Sequence, residues 1–235
     1  QSLNHNDLTP APGSRHARGP GPNGHDVPAR AKVLPLTGQG HKVYGIADNP
    51  GTGYRNNRTK GIPVHGQPEG VYMVTSALHL NKKCCFDFGN AETDNNDNGV
   101  GHMDAINTRC ADEECSRIGA NLDVEDGLIG HLNVPRGTPF VTAMGANDGE
   151  HTFALYQGNA QSGSLTSTGS MPLPPKYTKM RQEGAILLGI GGDNSNLATG
   201  YFFEGVMTKG MPTSEAMNAV ESNIDAAKYA GQLKP

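Results

Sequence analysis

The 235-residue chain has no tryptophan, and Phe and Tyr bring its aromatic share to only 6%. It has no apolar run near the roughly 18 residues that a membrane-spanning helix needs, which argues against a helical span. Positive charge is scarce too: 19 Lys and Arg face 23 Asp and Glu, for a net charge of -4. With no basic cluster in sight, a nucleic-acid surface is not expected. The nine histidines are scattered without H-E-x-x-H or similar spacing, and there is no G-x-S-x-G elbow. GIGGDNS resembles a phosphate loop only superficially, because no helical pattern follows it. No metal or cofactor is therefore called for. The amino terminus, QSLNHNDLTPAP, lacks both Met and the apolar stretch of a signal peptide. The expectation is that a leader and more were removed, or that this is one piece of a larger precursor.

Turn formers are abundant instead, with Gly 32 and Pro 16. Short apolar runs bounded by Gly, Asn, Asp or Pro recur at 42–47, 70–77, 84–89, 102–108, 118–124, 139–144, 152–157, 185–190 and 201–207. This spacing predicts an all-β sandwich in which each strand buries one face. In HTFALYQG, Phe153, Leu155 and Gln157 share one side while Thr152, Ala154 and Tyr156 share the other. One segment differs: Met217, Val220, Ile224 and Ala227 recur at helical spacing, with Ser214 or Thr213 as cap, Glu215 in the first turn and Gly231 as stop. Residues 1–41 read as an irregular lead-in, 42–235 as the sandwich, and 161–175 as a long loop.

The four cysteines fall into close pairs, Cys84/Cys85 and Cys110/Cys115. A four-cysteine zinc site fails on spacing, since neither pair reads C-x2-C. Local disulfides suit the pairing and imply an oxidising compartment, although Cys84 and Cys85 could also pack simply as small apolar residues. Asn57-Arg58-Thr59 is an N-glycosylation sequon, which agrees with secretion.

Two acidic stretches could carry chemistry. In NLDVEDGLIG, Asp123 and Glu125 lie two apart at a strand end, so both carboxylates would project from one face, with Asp126 starting the turn. A polar strand end facing solvent is the plainer alternative. In AILLGIGGDNSN, an apolar strand runs into Gly191-Gly192-Asp193, where glycines allow a ligand close to the backbone. Asp193 as the side chain of a tight turn is the alternative there. The acidic loop 94–99 matches half of an EF-hand, but Ala105 stands where the bidentate Glu belongs, so a solvated loop is expected.

Taken together, PGTGYRNN, CCFDFGNAET, DVEDGL, GNAQSGSL and EGAILLGIGGDNSN followed by FFEGVMT resemble the catalytic domain of glycoside hydrolase family 54, the fungal α-L-arabinofuranosidase B family. The resemblance runs in order from about residue 42 to 229. It implies a concanavalin-like β-sandwich (jelly roll) and retaining hydrolysis of terminal arabinofuranosyl groups. The family's nucleophile falls on Glu125 and its general acid/base on Asp193. Its vicinal disulfide falls on Cys84–Cys85, an apolar wall of the sugar pocket. Asp123, Asp126 and Gly192 fall on substrate-binding positions. A retaining mechanism needs its two carboxyls about 5 Å apart. Asp193 is then expected to be held protonated and Glu125 ionised.

The chain departs from the family pattern at named places. Asp126 replaces an amide, no Trp precedes the nucleophile, and INTRCADEECSRIG with its own Cys110–Cys115 pair fills that segment. QSLNHNDL aligns with the middle of the family domain, and the C-terminal arabinose-binding trefoil has no counterpart. A sandwich cut this way would expose sheet edges and core faces, so a missing N-terminal segment or a second polypeptide is expected to complete it. Two functions follow from these readings. One is a secreted furanosidase acting on arabinofuranose-containing glycans of polysaccharide or glycoprotein. The other is an inactive carbohydrate-binding or structural subunit of an extracellular assembly.

Overall fold

The computed structural model describes residues 6–13, 24–30, 32–177 and 179–234. Parts of the lead-in, including its first five residues and 14–23, lie outside them. Among the described residues the strands are short and numerous. They begin with β1 (Thr9–Pro10), β2 (Pro35–Gly38), β3 (His41–Tyr44), β4 (Ile46–Asp48), β5 (Tyr54–Asn56) and β6 (Glu69–Thr75). Next come β7 (Asp87–Ala91), β8 (Asp104–Cys110), β9 (Ile118–Asp123), β10 (Leu128–Val134), β11 (Val141–Asn147) and β12 (Thr152–Asn159). The remainder are β13 (Leu165–Ser167), β14 (Met171–Pro172), β15 (Ala185–Leu188), β16 (Gly200–Phe202) and β17 (Glu204–Lys209), before the helix α1 (Ser214–Ala226). No helix among them is long and apolar enough to cross a membrane.

Two antiparallel sheets form the sandwich. One has seven strands in the order β1-β5-β15-β7-β8-β9-β10. The other runs β13-β12-β11-β6-β17, with β14 also paired to β12. Both sheets come from this one chain, so the fold gives no support to the expected second polypeptide. The described part of the lead-in is not wholly irregular, because β1 pairs with β5 and β2 with β3.

Side-chain alternation explains how the sheets pack. Val71, Met73, Ala143, Phe153 and Leu155 of the six-stranded sheet meet Phe88, Ile106, Leu122, Ile129 and Ile186 of the seven-stranded one in the central core. Gly145 permits their close approach, since a Cβ there would lie 2.8 Å from Leu122 Cδ1 and 2.9 Å from Ile106 Cδ1. Each large aliphatic chain buried this way contributes about 1.5–3 kcal/mol. The opposite face of the six-stranded sheet is buried as well. There Val74, Met144, Ala154 and Tyr156 pack against Met217 and Ile224 of α1 and against Tyr229. The expectation that each strand buries one face is thus corrected for this sheet, which the helix covers.

The helix begins where the capping residues predict, with the Thr213 hydroxyl accepting from Ala216 N at 3.2 Å. It ends before Gly231, because the chain turns at Ala227 and Lys228 takes a left-handed φ of 50°. Besides β1, β2 and β5, three strands escape the sequence pattern. β10 does so because a register irregularity between Ile129 and Leu132 breaks its alternation. β13 and β14 lie within the stretch read as a long loop, and both are short edge pairings to β12.

Candidate active site

The outer face of the seven-stranded sheet is built differently from the core face. One cross-strand row reads Arg55, Leu187, Gly89, Ala105, Asp123. The next row places Asp87, Asn107 and Asn121 side by side. In the middle Ala105 and Leu187 pack with Met103 and Ile190, and Asp123 at the end of the row borders a hollow. A cleft of about 250 Å³ opens there, lined by Cys84, Cys85, Met103, Asp123, Glu125, Asp126, Gly192 and Asp193 among others. All seven residues singled out from the sequence meet in this one cleft. A larger groove of about 340 Å³ beside β1 and β5 contains none of them.

Glu125 does not sit on a strand as its two-residue spacing from Asp123 suggests. β9 ends at Asp123, and Glu125 and Asp126 both take left-handed φ values, 64° and 55°. Two consecutive non-glycine residues in this region are held by their surroundings at an energetic cost, a pattern that concentrates at functional sites. The holding contacts are Glu125 N to Asp123 Oδ1 at 3.0 Å and Gly101 N to Val124 O at 2.7 Å. Glu125 is buried, whereas Asp126 is exposed.

The second loop follows β15. Asp193 is half-buried, and its Oδ1 accepts from Ser195 N at 2.8 Å, so it forms the tight turn while facing the cleft. Gly191 N donates to Ser195 O at 3.0 Å and Asn194 N to Gly191 O at 3.0 Å. Gly192 is required by its neighbours, since a Cβ would lie 2.4 Å from Glu92 Oε1 and 2.9 Å from Met103 Sδ.

Cys84 and Cys85 are joined by a disulfide across a cis peptide bond, with their Cα atoms 3.0 Å apart. Cys85 is buried and Cys84 exposed. Their backbone is stitched to the second loop by Cys85 N to Ser195 O at 3.3 Å and Leu197 N to Cys84 O at 3.1 Å. Both sulfurs and Asp193 Oδ1 lie close around Gly191, so the disulfide forms a wall beside the acidic loop. Cys85 Sγ, Asp87 and Asp123 lie close enough to suggest a metal site, but a disulfide sulfur is no thiolate ligand. A second disulfide, Cys110–Cys115, closes the turn after β8.

Three residues not singled out from the sequence complete the site. Arg55 is buried and donates to Asn194 Oδ1 at 3.0 Å and to the carbonyls of Gly192 and Glu92. It also faces Glu92 Oε1 at 3.6 Å. Arg109 lines the cleft and donates to Lys82 O at 2.8 Å. Asp97, on the loop set aside as a failed EF-hand, also reaches the lining. That loop otherwise caps itself, with Asp94 Oδ1 accepting from Asn96 N and Asp97 Oδ1 from Gly99 N. Arg55 sits inside a stretch that reads as loop, so only the strand pairing of β5 with β15 could have revealed it.

The electrostatics differ from expectation. Burial, then the neighbouring Glu92 carboxylate, pushes Glu125 up to about 10. Burial also raises Glu92 to about 7 and Asp123 to about 6. The strongly raised carboxyl is therefore Glu125 on the left-handed turn, the group that a retaining mechanism needs ionised. Desolvation of a buried carboxyl among other carboxyls explains the direction. Asn57 of the sequon is half-buried, donating Nδ2 to Asn95 Oδ1 at 2.7 Å and accepting from Arg55 Nε at 2.7 Å. The nitrogen that would carry a glycan is thus already engaged in the fold.

Known proteins resemble this chain over nearly all of its length. The family described as "Alpha-L-arabinofuranosidase B, catalytic" matches residues 1–230. The chain is 44% identical over 243 residues to a probable alpha-L-arabinofuranosidase B of Aspergillus fumigatus, covering 98% of this chain and 48% of that protein. A solved mutant GH54 α-L-arabinofuranosidase soaked with 4-nitrophenyl α-L-arabinofuranoside matches with a TM-score of 0.89 at 41% identity, over 98% of this chain and 50% of the other. An arabinofuranosidase complexed with arabinofuranosyl-α-1,2-xylobiose gives a TM-score of 0.89, also at 41% identity, over 97% and 50%. The chain thus spans about half the length of the curated relatives it matches. With its family model, its relatives and its fold in agreement, the chain belongs to the catalytic-domain family of α-L-arabinofuranosidase B, glycoside hydrolase family 54.

Proposed function

We propose that this chain carries the catalytic cleft of a secreted, retaining α-L-arabinofuranosidase. Glu125 attacks the anomeric carbon, and Asp193 first protonates the leaving oxygen and then activates water. The observation that carries this reading is the meeting of Glu125 and Asp193 in one cleft walled by the Cys84–Cys85 disulfide. Asp123 accepts from Glu125 N and so holds the left-handed turn, while its remaining acceptor capacity suits sugar hydroxyls. The disulfide offers a soft apolar wall against the ring carbons, and Gly192 lets the sugar approach the backbone. Asp126 presents an acceptor where an amide would both donate and accept, which favours hydroxyls over carbonyl groups at that edge. The two disulfides support an exported protein. A glycan at Asn57 would require release of the Asn95 bond, which intact-mass analysis of the secreted protein can read directly.

The test is hydrolysis of 4-nitrophenyl α-L-arabinofuranoside by the full-length protein beside Glu125→Gln and Asp193→Asn, with the product anomer read by proton NMR at early times. Turnover with a first-formed α anomer is expected. A β product would replace retention by inversion, and no turnover on any furanoside would remove the enzymatic reading. A second reading draws on the raised Glu125: a cleft whose nucleophile candidate stays protonated can bind a furanoside without cleaving it. Calorimetric binding of arabinofuranosides without turnover would favour that alternative.

A further inference from the structure

Glu92 lies directly beneath the cleft on the far side of Gly192, and it is wholly buried. Its two carboxyl oxygens receive no N–H or O–H donor, although Arg55 faces Oε1 at 3.6 Å. Glu125 Oε2 is buried and without a donor as well. Gly192 joins the two groups, since it lines the cleft with Glu125 while its open side faces Glu92 Oε1, and each carboxyl acts on the titration of the other. Two adjoining carboxylates cannot both stay ionised in a dry site, but one proton between them satisfies both. The charged groups around Glu125 are Glu92, Asp97, Asp123 and Arg55, with Asp126, Asp193 and Arg109 on the cleft wall.

We propose that Glu92 and Glu125 hold one proton between them, and that Glu92 is the positioning residue that takes this proton when Glu125 attacks a furanoside. The O–H bond on Glu125 breaks as one forms on Glu92, and the negative charge passes to the attacking carboxylate. Nothing is oxidised or reduced, and no proton crosses to solvent. The raised values of both groups agree with a shared proton. Arg55 ties the device to the second loop, because the guanidinium beside Glu92 also donates to Gly192 O and Asn194 Oδ1. This inference rests on the reading of Glu125 as nucleophile.

The experiment compares the full-length wild type with Glu92→Gln and Glu125→Gln by ¹³C NMR titration of glutamate carboxyl carbons, and measures kcat/KM against pH for 4-nitrophenyl α-L-arabinofuranoside. In the wild type the two resonances are expected to move together in two steps, and each to titrate in one step once its partner is an amide. An amide donates a weaker hydrogen bond to the Glu125 anion than a carboxyl does. The acid limb of kcat/KM in Glu92→Gln is therefore expected to move up by about one pH unit, a tenfold loss on the acid side. Thermal melting should stay within a few degrees. Independent one-step titrations in the wild type would overturn the proposal, as would an acid limb that stays or moves down. If the wild type cleaves no furanoside, the enzymatic reading falls, while the NMR titration still decides whether the proton is shared.

Discussion

The six-stranded sheet packs mainly apolar side chains on both faces, whereas the outward face of the seven-stranded sheet sets a small apolar cluster around Ala105 and Leu187 among buried polar groups. On its outward face Arg55, Asp87, Asn107, Asn121 and Asp123 are all buried despite their polarity. Burying such groups costs free energy unless they find partners, and here they find one another. Asn107 donates to Asp87, Arg55 to Asn194, and burial beside Asp123 raises Asp87. A helix could have covered this face with methyl groups, as α1 covers the other sheet. The contrast separates a surface that serves stability from one that holds charge in a dry place, which is what electrostatic catalysis requires.

The widest gap between the two surfaces should appear in Glu125→Gln. Loss of the proposed nucleophile is expected to lower kcat/KM by at least about a thousandfold. The melting temperature at pH 7 should hold or rise, because a carboxyl raised by burial opposes folding above its ordinary range. A fall of many degrees would make Glu125 structural and erase the contrast. Leu155→Ala is the mirror experiment on the six-stranded sheet. Leu155 is fully buried in the central core, and its truncation should cost about 2–5 kcal/mol in denaturant unfolding. Activity per folded molecule should be unchanged.

The same contrast explains what could be read from the sequence. Strands β6, β8, β9, β11 and β12 follow from alternation, and α1 from its 3.6-residue period and Thr213 cap. The candidate residues followed from a family resemblance carried by long motifs, and the fold brings them into one cleft. Arg55 and Glu92 were missed because each looks ordinary in its own segment. Only the pairing of β5 and β7 with β15 brings them together. The turn at Glu125 is hidden because a two-residue spacing from Asp123 reads as strand and carries no sign of a left-handed φ. Glu221 was missed for a related reason: it is buried on α1 among residues whose pattern reads as the apolar face.

A third acidic pair tests whether buried carboxyls in the sandwich interior behave like those of the cleft. Glu69 and Asp104 open β6 and β8, both buried, with Asn90 donating to Glu69 and Asn147 to Asp104. No cation stands beside them in the described hydrogen bonds and ion pairs. Burial pushes Asp104 up to about 7, and Glu69 is raised by burial and by Asp104. A raised carboxyl keeps its proton in the folded state while the unfolded chain has already lost it. Stability from this pair is therefore greatest below about pH 4 and falls as pH rises toward 7. Glu69→Gln should flatten the decline of melting temperature between pH 4 and 7 and leave the pH profile of activity in place. A profile that shifts with it would mean the two acidic sites are coupled.

The smallest effect belongs to the cover of the apolar sheet. Thr213 accepts from Ala216 N and starts the helix whose Met217 and Ile224 close the outer core. Thr213→Ala removes that acceptor and leaves an unpaired N–H in the first turn, at a cost of about 1 kcal/mol. The packed face of α1 stays in place, because Met217 and Ile224 are held by tertiary contacts rather than by helix propensity. Chemical denaturation should therefore record a modest drop in midpoint with an unchanged slope. Furanoside hydrolysis should be untouched, since α1 lies across the six-stranded sheet from the cleft. A loss of activity without loss of stability would mean that the cover on one sheet communicates with the charged face of the other.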